Sequence, residues 1–391
     1  MKRIEFGELR INNTAKQHIQ DCLDTNWASM GPKVRLLEEK FAELMGTNYA
    51  VATSSGTSSL TMVTLALPEL AKHLKKREVV RGKSKVLCPG LAFIANSTAI
   101  VSGGLIPKWV DIRPETLNMN EHLVEQAIDD DVVAIYAVGT MGRPCDMAKL
   151  KYIADKHDLI LFEDGCENYG SSVDGKFSHK YAVGGCSSFF QAHLVQAGEG
   201  SCIYTDDEFF RDLLVSIRSH GRDGASAYFD HIRFGGNFKT TDLCASLALG
   251  GIEEFHENIK ARKVAWRYLN DWCVEHCYEE FIWFSSSDYN MDVMPHGFSI
   301  TVKPDVGYSI YGLQKILDQN NIHWKRNFGF CGHHMALAKY YDGKEAYPWS
   351  IWCGDNGLHI GTHRYMSLDD LARICDCIDE FIYKTRGGEH E

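Results

Sequence analysis

Through the first two thirds of the chain, short apolar runs, each followed by glycine, proline, aspartate or serine, alternate with longer stretches in which apolar positions recur at helical spacing. Residues 86–88, 108–112, 132–138, 159–163, 187–190 and 201–204 read as strands, and 57–67, 123–128 and 147–157 read as helices between them. This alternation predicts an α/β fold, a mostly parallel central sheet wrapped by helices. In open sheets of this kind ligands bind at the C-terminal ends of the strands, so chemistry is expected along that edge. A longer helical stretch from 241 to about 268 links this part to a remainder that reads as α+β, with strands at 297–302 and 357–360 and helices at 309–319 and 368–383. The pattern divides the chain into a large unit, residues 1–250, and a smaller C-terminal one, residues 251–391.

Composition narrows the function classes. The 391 residues are 45% apolar and 24% charged, enough to bury a full core, and 41 Lys plus Arg against 52 Asp plus Glu leave a formal charge of −11. That balance gives no general attraction for nucleic acid or an anionic membrane. No apolar run approaches the roughly eighteen residues of a membrane span, and no apolar segment follows the charged start, so the expected location is cytoplasmic. The basic segment 72–85 reads as an exposed helix end and loop. The thirteen cysteines are odd in number in a long chain without an export signal and read as reduced thiols. Cys331 with His333 and His334, Cys375 with Cys377, and Cys273 with Cys277 are candidate metal ligands. None has the paired C-x-x-C spacing of a structural zinc site, so core packing is favoured.

Four stretches carry candidate chemistry. Residues 54–58 (Ser-Ser-Gly-Thr-Ser) open an apolar helix, where free amides and hydroxyls suit a phosphate, although a Ser or Thr helix cap looks much the same. The run 159–164 (Leu-Ile-Leu-Phe-Glu-Asp) is a buried-type strand ending in two acids. There Asp164 either caps a turn or holds a pyridine nitrogen protonated. Residues 187–200 place a hydroxyl at a strand end, then His193 in a loop, then a glycine-rich turn, and Gly235-Gly236-Asn237-Phe238-Lys239 precedes a further helix.

Taken in order, these pieces together with SHGRDG and the C-terminal IGTHRYMSLDDL resemble the sugar-nucleotide (DegT/DnrJ/EryC1/StrS) branch of the fold-type-I pyridoxal-phosphate (PLP) enzymes, from about residue 26 to 370. The resemblance implies an aspartate-aminotransferase fold whose larger unit binds PLP and a homodimer with shared active sites. It implies that Gly56, Thr57 and Ser188 contact the cofactor phosphate, with Asn237 reaching it from the partner subunit. Phe93 would stack on the ring, Asp164 would pair with the pyridine nitrogen, and Glu167 would stand near the ring hydroxyl, where aminotransferases usually have Gln. Arg222, in the GRD motif, is a candidate contact to the nucleotide-sugar substrate.

One departure bears on the reaction. Aminotransferases of this branch carry lysine at the position of His193, and its amine forms a Schiff base with PLP. Imidazole cannot form that bond but, with an ordinary pKa near about 6.5, can act as a general base. The exchange resembles the GDP-4-keto-6-deoxymannose 3-dehydratase group. This implies that L-glutamate converts PLP to pyridoxamine phosphate (PMP), which then serves to remove the C3 hydroxyl of a nucleotide-linked 4-keto-6-deoxyhexose with release of ammonia. Cys166 matches the first cluster cysteine of the related CDP-sugar enzyme, but Gly224 and Ser226 stand where others would follow, so no iron–sulfur cluster is expected. Two other readings remain: an aminotransferase with its lysine replaced, and a non-catalytic paralogue that binds a nucleotide sugar.

Overall fold

Seven strands form the central sheet of the computed structural model, which describes all residues except 1, 225, 227–229, 277–279, 283–289, 342, 344–345 and 388–391. They are β1 (Tyr49–Thr53), β2 (Lys85–Pro89), β3 (Ile106–Val110), β4 (Val132–Val138), β5 (Ile160–Asp164), β6 (Gly185–Cys186) and β7 (Ser201–Thr205). Their spatial order is β1-β7-β6-β5-β4-β2-β3, and only β7 runs against its neighbours. The sheet is therefore mostly parallel, as the sequence pattern predicts. Both faces are covered: on β4, Ala134 and Tyr136 pack toward helix α1 (Gly56–Leu74), while Ile135 and Ala137 join the core that includes Leu150 and Ile153 of the helix Met147–Lys156. This is why β4 is apolar at every position.

Two expectations are corrected. The strand expected over 187–190 is β6, which ends at Cys186. The Ser187 hydroxyl, rather than its carbonyl, accepts from Cys202 N at 2.9 Å, so the regular ladder is interrupted there, with Phe189 N still donating to Gly200 O at 2.9 Å. The helix expected from 241 to about 268 is two helices, α2 (Asp242–Glu253) and α3 (Phe255–His276), separated at Glu254. Strand β1, which the pattern did not predict, pairs antiparallel with β7.

A second, antiparallel sheet has the order β8-β9-β11-β10, with β8 (Phe281–Ile282), β9 (Gly297–Val302), β10 (Trp324–Arg326) and β11 (Gly357–Gly361). The start of the chain joins it: Ile4 N donates to Asn321 O at 3.0 Å, and His323 N donates to Ile4 O at 2.9 Å. The basic segment is matched by acids, with Lys76 on Asp155, Lys83 on Asp131, and Lys85 on both Asp129 and Asp131. Cys331, Cys375, Cys377 and Cys273 are buried among apolar side chains, and Cys277 lies outside the described residues. Among the described residues no helix is long and apolar enough to cross a membrane.

Candidate functional site

A cavity of about 400 Å³ lies between the C-terminal edge of the central sheet and the face of β10 and β11. Gly56, Thr57, Phe93, Asp164, Glu167, Ser188 and His193, all singled out in the sequence, line it. Each is delivered by a local break in the fold. At the end of β1 the chain turns into α1, with the Ser55 hydroxyl accepting from Ser58 N at 3.1 Å. The first amides of α1 have no carbonyl one turn earlier to pair with and carry the positive end of the helix dipole. A side chain at Gly56 would place its Cβ 2.8 Å from Cys166 Sγ, so glycine is required for this close approach.

Asp164 closes β5 and is 6% exposed. Its carboxylate accepts from Asn96 Nδ2 and from Cys166 N, both at 3.2 Å, and forms no ion pair among the described residues. A buried carboxylate without a cation is costly, so the site favours a protonated nitrogen beside it. The Asn96 Oδ1 atom is also buried without a partner. Glu167 accepts from Met141 N at 2.7 Å, and burial pushes its pKa up to about 7. Asp164, Cys166 and Cys186 are the one described group with metal-ligand spacing, their ligand atoms within 4.8 Å of one another at this end of the cavity.

His193 follows the segment whose regular pairing is interrupted at Ser187. Its Nδ1 lies 2.6 Å from Cys166 O. Only an N–H pairs with a carbonyl oxygen, so Nδ1 carries the proton and Nε2 keeps the lone pair. Burial lowers the His193 pKa to about 4, which leaves the ring neutral, with its Nε2 lone pair free, at physiological pH. The backbone of this loop is held from α3: the fully buried Arg262 donates to Ala192 O at 3.0 Å and His193 O at 3.1 Å, and Asn258 Nδ2 donates to Leu194 O at 2.6 Å.

The opposite wall was not anticipated. It brings His296, Lys325 and His359 to the cavity from the second sheet, with Phe6 from the start of the chain. The His296 ring lies 4.6 Å from that of His193, and its Nε2 is 3.8 Å from Glu167 Oε1. Arg262 also donates to His296 O at 3.1 Å, so one guanidinium fixes both imidazole-bearing segments. Lys325 and His359 are register partners on β10 and β11, which places their side chains on one face. The available signal was a polar residue inside a short apolar strand, as in Gly-Leu-His-Ile-Gly at 357–361.

Two expected residues stand elsewhere in the chain. Arg222 lines a separate cleft of about 700 Å³ with Phe209, Val215 and Ile232. Asn237 bridges Ser219 and does not line the His193 cavity.

Pyridoxal phosphate fits the residues present: the glycine-opened helix start suits its phosphate, and the buried Asp164, without an ion pair among the described residues, suits its ring nitrogen. A profile of the DegT/DnrJ/EryC1/StrS aminotransferase family matches residues 9–379. The chain is 30% identical over 386 residues to GDP-perosamine synthase of Escherichia coli O157:H7, covering 97% of this chain and 99% of the relative. It is 26% identical over 380 residues to GDP-4-keto-6-deoxy-D-mannose 3-dehydratase of Escherichia coli O55:H7 (strain CB9615 / EPEC), covering 90% and 93%. A crystal structure of GDP-4-keto-6-deoxymannose-3-dehydratase with a trapped PLP-glutamate geminal diamine superposes with a TM-score of 0.87 at 23% identity, covering 96% of this chain and 99% of that one.

Proposed function

The chain belongs to the DegT/DnrJ/EryC1/StrS aminotransferase family, whose members are PLP-dependent enzymes acting on sugar nucleotides, and on that premise we propose that it is a 3-dehydratase of a nucleotide-linked 4-keto-6-deoxyhexose. The reaction converts the substrate and L-glutamate to a 4-keto-3,6-dideoxy sugar nucleotide, 2-oxoglutarate and ammonia. The observation that carries this reading is the neutral imidazole of His193, aimed by the Cys166 carbonyl, where an amine would otherwise stand.

When bound, the cofactor supplies an electron sink and, in its amine form, the nitrogen that joins the sugar C4 ketone. Asp164 keeps the ring nitrogen protonated, Gly56, Thr57 and Ser188 hold the phosphate, and Phe93 covers the ring face. Glu167 stands by the ring hydroxyl with its proton available near neutrality. His193 Nε2 takes a proton and returns it to the departing C3 oxygen. Having no amine to offer, it leaves the cofactor nitrogen free for the sugar. A homodimer completes the site in this reading, with Asn237 of each chain serving the other and Arg222 meeting the substrate.

The test is incubation with PLP, L-glutamate and GDP-4-keto-6-deoxymannose. Ammonia and a 3-deoxy product are expected, and a stable amino sugar would overturn the proposal in favour of amino transfer, the activity named for the 30% identical relative. The His193→Lys variant is expected to bind the cofactor covalently and to lose dehydration.

A further inference from the structure

We propose that Lys325 is the anchor for a carboxylate of the amino donor, an acidic amino acid such as glutamate, on the wall of the cavity opposite Asp164. This rests on the reading that such a donor reloads the cofactor.

The placement of Lys325 is built into the second sheet. The pairing of Ile4 with the segment ahead of β10 lays Phe6 beside that strand, and the Lys325 ammonium sits 4.3 Å from the Phe6 ring centroid and 5.7 Å from that of Phe190. Such a position over aromatic faces restrains a long side chain. Among the residues lining the cavity Lys325 is the one Lys or Arg, and among the described residues it forms no ion pair. Burial lowers its pKa, and the field of Glu167 raises it in part. A half-buried ammonium without an acceptor among the described residues has lost water contacts that none of them restores, so an incoming anion gains a charge-assisted hydrogen bond there.

Three arguments select a donor carboxylate. The cofactor phosphate has its own place at the start of α1, on the other wall. The neighbours of Lys325 are the imidazoles of His359, its register partner, and of His193 and His296, whose pKa values its charge helps to lower. The anion it meets is therefore part of a molecule reacting beside His193. The cavity of about 400 Å³ is matched in size to a cofactor with a small amino acid, and a nucleotide diphosphate would extend beyond it.

The experiment compares the PLP-loaded protein with its Lys325→Met and Lys325→Arg variants. Calorimetry with glutarate, which keeps both carboxylates but has no amine to react, reads binding alone. Conversion of the cofactor absorbance by L-glutamate reads the donor half-reaction. In Lys325→Met, glutarate affinity and the apparent affinity for glutamate are expected to fall about ten- to a hundredfold, with PLP and GDP affinity kept within about threefold. Lys325→Arg is expected to recover most of the loss. Unchanged glutarate affinity in Lys325→Met, or a loss confined to GDP, would overturn the assignment. So would borohydride trapping of the cofactor on Lys325. If glutamate fails to convert the cofactor of the unaltered protein, the donor reading and this assignment fall together. If amination replaces dehydration while the Lys325→Met loss persists, the proposed function falls and the anchor stands.

Discussion

The two walls of the cavity present opposite chemistry from different parts of their strands. The central-sheet wall offers the carboxyls of Asp164 and Glu167 and the amides of α1, all at or just beyond strand ends. The second-sheet wall offers His296, Lys325 and His359, bases set at the edge of or within strands and held largely in the folded interior. Acids and bases face one another with little direct pairing. The His296 to Glu167 approach of 3.8 Å is the nearest to an ion pair, and the buried imidazole is neutral. A cavity divided in this way is arranged to be bridged by a ligand that is cationic at one end and anionic at the other, rather than to neutralise itself.

The largest expected disruption removes the group that ties the walls together. Arg262 donates to Ala192 and His193 on one side and to Pro295 and His296 on the other, so Arg262→Leu strands the carbonyls of Ala192, His193 and His296, while Pro295 O keeps the Thr362 hydroxyl. A loss of about 3–5 kcal/mol is expected from urea unfolding, with greater protease sensitivity. Asp164→Ala acts on one wall only. A fall in turnover of about 10² to 10³-fold with an unchanged urea midpoint is expected, and an equal fall in both would show that the carboxylate is structural.

Acid sharpens the contrast without mutation. The buried histidines 179, 193, 296, 359 and 363 all have lowered pKa values, so between about pH 4 and 6.5 the unfolded chain binds protons that the folded chain does not. Their contribution to stability is present above pH 6.5 and is lost as pH falls toward 4. Glu163 and Glu167, raised to about 7, act in the opposite direction but are fewer. The urea midpoint is therefore expected to drop steadily from pH 6.5 to 4.5, while the acid limb of turnover assigned to His193 lies near pH 4 rather than 6.5. The smallest effect is expected at the exposed Phe93: Phe93→Leu should weaken PLP binding by about 0.5–1.5 kcal/mol in a fluorescence titration.

Legibility in the sequence followed the same division. Strand ends interrupt an apolar run with Gly, Ser or Asp, so Gly56, Asp164 and Ser188 stand out from their surroundings. His193 was found through its place in a motif order rather than through any local pattern. His359 and Lys325 occupy one face of strands whose other positions are apolar or ordinary, and nothing in a linear pattern says which face meets a cavity. Their significance depends on a register between β10 and β11 that joins residues more than thirty positions apart. The early end of β6 was hidden for a similar reason, since it depends on the Ser187 hydroxyl capturing an amide from β7. Asn237 and Arg222 were singled out by motif order alone, and neither lines the His193 cavity.

The pairing of Ile4 with the residues around 322 also governs timing. Phe6 leaves the ribosome some three hundred residues ahead of Lys325, so its seat beside that side chain exists only after the intervening chain has emerged. Closing so long a loop is slow compared with local helix formation, so this corner of the pocket should assemble late in biogenesis. Extensions fused ahead of residue 4 would then be felt at the catalytic chamber before they were felt in overall stability.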